Sequence, residues 1–450
     1  MQSLLDDLSI FDFLLAPIYI LLIWVIADFV KNKNILEHPE YKYFVRGLLV
    51  KILGAISLGL VYYFYYTGGD TTNYFETARA YVNLSVKNQA DFFHGWLGDA
   101  TGVDWEFFDS ETGYPVYFHK DKHAFFVVRL LIPLTMIAFK SYFTCTVLVA
   151  TITYSGVWKL YRVFVYEFPE LKKEMAIAVL FIPSCIFWGS GILKDSFTLS
   201  AVGWYTYAFH SFFIRKKRNY MFLIEIFISA YILISIKPYI LFALLPGSII
   251  WLSGQWIARI KNKTFKVILG PIFMIAGLAT AYIGLTQLED VLGLYKVDTV
   301  LEHASVVQKD MKADYYGGNS FDIGDFDSDV GSIIAKAPIA IFSGIFRPGL
   351  WDVKNIVMFV SSLENTYLLL LTCFLLIKLK LYTFFNMIGK NAMLLFCMLF
   401  ALFFAFSVGL TVANFGSLVR LRIPELPFFV SGIFILRHLY ELKSGKKVRF

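Results

Sequence analysis

"YYFYYTGGDTTNYFETARAYV", Tyr62 to Val82, breaks abruptly from aromatic and apolar side chains into Gly68-Gly69-Asp70. The two glycines free the backbone to turn, and Asp70 or a threonine after it can cap a helix beginning near Asn73. Tyr74, Ala78 and Tyr81 then recur at helical spacing, which predicts an amphipathic helix lying near a surface. An apolar helix that stops where a polar one starts marks a boundary between lipid and water. Two readings of Asp70 stay open: a helix N-cap, or a carboxylate that takes a proton from a hydroxyl as a lipid-linked donor is cleaved.

The composition sets the class. Of 450 residues, 58% are hydrophobic and 17% charged, and the mean hydropathy is +0.62. A soluble domain carries about 25% charged and about 45–50% apolar residues. Repeated apolar runs long enough to cross a bilayer predict an all-α, polytopic transmembrane bundle, with 1–450 forming one integral membrane domain. The net charge of +7 does not point to nucleic acid, because the basic residues follow the topology. Cys145, Cys185, Cys373 and Cys397 lie in apolar segments without paired spacing, so neither a disulfide framework nor a zinc site is implied. The acidic start "MQSLLDDLSIFDF" lacks the basic residues of a secretory signal and reads as the outer end of a first membrane helix.

About eleven spans are expected, near 13–30, 47–66, 141–161, 175–191, 196–213, 220–236, 239–257, 266–285, 355–377, 391–412 and 424–437. Basic clusters mark the cytoplasmic connections: Lys31 to Arg46, Lys172 and Lys173, "RKKR" at Arg215 to Arg218, Arg259 to Lys266, Lys378 to Lys390, and Lys443 to Arg449. The N-terminus then lies outside and the C-terminus inside. The run Ala124 to Lys140 holds Arg129 and Pro133, and its crossing would invert every later loop. It therefore reads as an interfacial or re-entrant helix, with a short tilted crossing as the alternative. Two long external loops result, at 67–123 and 286–354, and loops of that length are usually functional. No internal repeat of transporter type is visible.

Basic residues at external helix ends run against the positive-inside rule and ask for a cause. They are Lys194 in "WGSGILKDSF", Lys237 in "SIKPYI", Arg347 in "FRPGLW", and Arg420 and Arg422 in "NFGSLVRLRIPELPF". One cause is snorkelling toward headgroups. The other is a ring of cations gripping a lipid-linked phosphate or pyrophosphate, a task that suits the planar arginine fork. "DFDSDVG", Asp325 to Gly331, spaces its carboxylates like a calcium loop, but its glycine falls one place late and no distal glutamate follows. A solvated acidic turn fits better. Glu364, in mid-span beside Asn365, must face protein or water and is expected to pair with a cation such as Arg129 or to line a cavity.

This layout resembles the GT-C superfamily of polytopic glycosyltransferases. The likeness rests on the order of helices and loops from 47–66 onward, on Asp70 opening the first long loop, and on the strings "PSCIFWGSGILKDSF" and "NFGSLVRLRIPELPF". It implies transfer of a sugar from a polyprenyl-phosphate-linked donor to a glycan, lipid or protein acceptor, on the outer face of a bacterial inner membrane. Asp70 would be the general base, and Arg420 or Arg422 would hold the carrier phosphate. No cofactor is implied with certainty, and a divalent cation stays open. The chain departs from the superfamily by an extra N-terminal helix and by Thr71 after Asp70, where many members carry a second acid. Glu76 is therefore the reserve candidate. Two other readings are a surface-polysaccharide polymerase or ligase relying on Arg347, Arg420 and Arg422, and a non-enzymatic subunit with protein partners.

Overall fold

The computed structural model describes residues 10–98, 105–116, 121–259, 320–324 and 330–445. Among these every element is helical, apart from an isolated antiparallel bridge between Ser320 and Asn414. Among the described residues five helices are long and apolar enough to cross a membrane: Asp12–Asn34, Pro39–Tyr65, Tyr142–Glu167, Met358–Leu379 and Ala392–Thr411. Met221–Ile236, Pro238–Gly254 and Ala337–Phe346 are apolar but shorter. Helices occupy every expected span except 266–285, which lies outside the described residues, but the length and composition of about eleven crossings are not met.

The chain divides into two compact units. The first takes in Met1–Arg162, Cys185–Trp204 and Ile228–Lys237. Its α1 (Ile10–Asn34) is exposed along most of its length, with Leu14, Ile18, Leu21 and Phe29 each 60% or more exposed. A helix apolar on all sides and this bare needs a non-aqueous surround. α2 (Phe44–Leu60) continues into a π-helical turn at Val61–Tyr65. The amphipathic α3 (Asp70–Lys87) and α4 (Gln89–Leu97) follow. Tyr74, Ala78 and Tyr81 are buried on α3, as their spacing predicts. Then come α5 (Lys122–Ile137) and α6 (Tyr142–Glu167).

α2 serves as a ruler for this unit. Beside its start, the hydroxyl of Tyr154 on α6 donates to the Phe44 carbonyl at 2.7 Å. Beside its end, Gly59 touches Tyr142 and Phe143, so α6 runs antiparallel to it. The expected span 175–191 is broken into α7 (Lys172–Leu180) and α8 (Pro183–Trp188). Pro183 lacks an N–H and disfavours helical geometry at Ile182, which ends α7. The unwound stretch Gly189 to Leu193 then climbs along α2. Lys51 donates to the Gly189 carbonyl, and Gly191 packs on Leu58. α9 (Lys194–Phe209) starts from that level.

The two ends of α5 are fixed by this frame. Its N-cap, Asp121, receives Lys194 at 3.1 Å, beside the start of α9. Its other end runs through Lys140 directly into the start of α6. Both ends of α5 therefore meet the same end of α2.

The second unit takes in Val163–Ser184, Tyr205–Phe227 and Pro238–Phe450. α7 lies here, with α10 (Met221–Ile236) divided between the two units and α11 (Pro238–Arg259) after it. Beyond 320–324 come α12 (Val330–Ala335), α13 (Ala337–Phe346), α14 (Ile356–Leu379), α15 (Leu381–Lys390), α16 (Ala392–Thr411), α17 (Phe415–Leu421) and α18 (Leu426–Ser444). α16 is the centre, packing against α11, α13 and α18. Gly409 on α16 lies against the Ala340 carbonyl and Gly344 on α13 against the Ala405 carbonyl, so these backbones approach as only small residues allow.

A Cβ at either glycine would overlap a carbonyl of the facing helix. Gly409→Val should destabilise the fold by about 1–3 kcal/mol through overpacking, read as a lower unfolding midpoint in detergent. Gly389→Ala, with nothing near its Cβ, should leave that midpoint unchanged or raise it.

Candidate functional site

Gly68 and Gly69 hold φ of +131° and +126°, a region closed to L side chains in practice. Gly69 is the cap of α3: its carbonyl accepts the Asn73 N–H and the Thr72 hydroxyl, each at 2.9 Å. The helix starts three residues before the expected Asn73, and its N-cap is Gly69, without a side-chain cap, rather than Asp70 or a threonine after it. Asp70 is instead the first helical residue, partly exposed, with its carboxylate at the favourable positive end of the helix dipole. Thr71 behind it is buried and receives the Tyr142 hydroxyl at 2.9 Å. Tyr142 in turn donates its backbone N–H to Asp12 of α1 at 3.1 Å. Asp70 thus stands on an anchored helix start at the level shared by the first residues of α1 and α6.

Glu76 lies farther along α3, paired with Arg79 at 2.5 Å. Both line an open, polar cavity of about 530 Å³, walled by Asp12, Asn83, Lys140 and the turn from Ser110 to Tyr114. Asp70 is not among its lining residues.

The expected cations fall into two groups. In the first unit Lys194 and Lys237 each pair with an aspartate. Lys194, still partly exposed, bonds Asp121. Burial pushes the Asp121 carboxyl up, but Lys194 and the N–H groups of Ala124 and His123 outweigh it and hold the group below its ordinary value. Lys237 is 5% exposed and pairs with the fully buried Asp195.

In the second unit Arg422 is fully buried and acts as a hub. It donates to the carbonyls of Ile345 (2.9 Å) and Arg347 (3.2 Å) and to Asn365, whose amide bonds the Pro348 carbonyl at 2.7 Å. Glu364 lies 4.0 Å from its guanidinium and accepts the Ser184 N–H at 2.8 Å. Arg129, the partner suggested for Glu364, instead donates to Gly98 and lies 5.0 Å from the Phe125 ring centre. Arg347 forks onto Asp352 at 2.6 and 3.1 Å, flanked by the rings of Phe321 and Phe415. Arg420 is partly exposed.

Lys237 and Arg422 are buried and spend donors on internal partners, because a charge removed from water needs a close acceptor. Lys194, Arg347 and Arg420 are partly exposed. Lys51, Asp195 and Asn365 were not picked out as site residues. The available signal was their polarity inside otherwise apolar runs. Most of "DFDSDVG" lies outside the described residues, and among those described no three His, Cys, Asp or Glu side chains stand close enough to hold a metal ion.

Lys237→Met leaves Asp195 buried without its counter-charge and should cost about 3–5 kcal/mol of stability, whereas the double variant Lys237→Met/Asp195→Leu should recover most of it. Thermal unfolding in detergent reads both. No protein-family model matches the chain, and no curated protein or solved structure does either, so its function must be argued from this geometry.

Proposed function

We propose that the chain is a membrane glycosyltransferase, moving a sugar from a polyprenyl-phosphate-linked donor to an acceptor at the extracytoplasmic face of a bacterial inner membrane. The placement of Asp70 carries the reading: a partly exposed carboxylate on the first turn of α3, just past the apolar span Pro39–Tyr65. The basic end of α1, with Lys31 and Lys33, lies at the far end of that helix. By the positive-inside rule it faces the cytosol, which turns Asp70 outward. The return of α5 to its starting level suits a segment resting on that outer leaflet.

In this reaction the acceptor hydroxyl gives its proton to Asp70 as its oxygen attacks the anomeric carbon. The bond from that carbon to the phosphate oxygen breaks, the electron pair leaves with the polyprenyl phosphate, and the anomeric configuration inverts. Lys194, a partly exposed candidate cation in the same unit as Asp70, would stabilise the departing phosphate. Preorganised charge of this kind is usually the largest contribution to catalysis. The internal pairing of Lys237, Arg347 and Arg422 favours a second reading, a non-enzymatic subunit in which these residues only brace the fold.

The test is release of polyprenyl phosphate from undecaprenyl-phosphate hexoses by the purified chain in proteoliposomes. Asp70→Asn should lower turnover by about 10²–10⁴-fold with an unchanged unfolding midpoint. Full turnover in that variant would retire Asp70 as the base, and no turnover from any donor would favour the structural reading.

A further inference from the structure

We infer that the cavity beside α3 binds an uncharged or amino-substituted oligosaccharide, as the remote part of the acceptor rather than the phosphate of the donor. The inference rests on the transferase reading for the word acceptor, but not for the binding itself.

The wall chemistry selects the ligand. Glu76, Arg79 and Asn83 lie on one stripe of α3, with Asp12 of α1 and Lys140 contributing from the N-terminal helix and the α5–α6 corner. Acids outnumber bases: Asp12, Glu76 and Glu111 stand against Arg79 and Lys140. Each base already faces an acceptor, Arg79 on Glu76 and Lys140 on the Asn83 side-chain oxygen at 2.8 Å. A phosphate would meet repulsion here. A polyol would meet carboxylate acceptors alternating with amide, ammonium and guanidinium donors, which is what vicinal hydroxyls require.

The rim supplies what the apolar faces of sugar rings need. Tyr114 and Phe139 both line the cavity and are 59% and 66% exposed, offering flat aromatic surfaces. Phe139 and Lys140 take φ of +51° and +61°, left-handed geometry that costs energy in residues other than glycine. That geometry turns the corner between α5 and α6 on which both side chains are mounted. The opposite edge is held by Asp109, whose carboxylate accepts the N–H groups of Glu111 (3.0 Å) and Thr112 (3.1 Å) and pairs with Lys87. The Lys87 ammonium and the N–H groups of Thr112 and Glu111 hold the Asp109 carboxyl below its ordinary value. Asn83 bonds the Thr112 carbonyl at 3.0 Å, tying that turn to α3.

Size and distance agree. The volume of about 530 Å³ lies in the middle of the range for small-ligand sites, roughly 300–1,000 Å³. Glu76 stands six residues past Asp70, which is about 9 Å along the helix axis and about a third of a turn round it. The reacting hydroxyl and the cavity are thus separate places on one helix, so the acceptor must be long enough to reach between them. Binding energy gained at such a remote place positions the reacting end.

Saturation-transfer NMR on the full chain in detergent tests this. The probes are neutral and N-acetylamino tri- and tetrasaccharides, with inorganic pyrophosphate as the anion control. At least one saccharide should bind, Tyr114→Ala and Glu76→Gln should each weaken it tenfold or more, and Asp70→Asn should leave it unchanged. Tyr114 is an exposed side chain, so its variant folds normally and keeps the test decisive. Failure of every saccharide, binding indifferent to both cavity variants, or preference for pyrophosphate overturns the inference. Saccharide binding that depends on the cavity, in a chain that transfers nothing, upholds the inference while overturning the transferase reading.

Discussion

A charge surrounded by hydrocarbon has to find its compensation within the chain, and much of this architecture follows from that constraint. Lys237 reaches back to Asp195 and so ties the end of α10 to the start of α9. Lys51 holds the carbonyl at the end of α8 against the middle of α2. Arg422 gathers the end of α13, the middle of α14 and the turn before α18 around one guanidinium. Hydrophobic side chains cannot do this in lipid, since burial against a neighbour and burial against acyl chains are nearly equivalent. Polar ties choose which helix ends meet, and small residues such as Gly344 and Gly409 settle how closely.

Local patterns were legible where neighbours in sequence are neighbours in space. The periodicity of Tyr74, Ala78 and Tyr81 places the buried face of α3, and apolar runs place the helices within a few residues. Other features were not. Pro183 is as compatible with the first turn of a helix as with a break, so the interruption between α7 and α8 went unread, whereas Gly189 and Gly191 mark the turn that follows α8. The ends of α5 are fixed by Lys194 on Asp121 and by Lys140 on Asn83, contacts between residues 73 and 57 positions apart. Hydropathy carries no information about them. The same holds for the cations: their unusual location was visible, but Asp195, 42 positions from Lys237, and Asn365, 57 from Arg422, gave no sign of claiming them.

Asp70 and Glu76 emerged from the sequence as rivals for a single role, because one helix carries both. Their surroundings separate them. Asp70 sits at the anchored start of α3, where the backbone points its N–H groups at any negative charge. Glu76 sits beside Arg79 in a cavity of mixed donors and acceptors. Residues on one rigid rod keep a fixed spacing, so a molecule engaged at both places is measured for length as well as for composition.

The paired glycines before α3 carry one more implication. Their dihedral angles leave no room for any other amino acid, while the carboxylate immediately downstream is under no such backbone restriction. Mutational drift can therefore replace the acid without disturbing the bend, but cannot alter the bend without losing the helix start. A lineage could exchange or discard the chemistry at this corner many times on an unaltered scaffold.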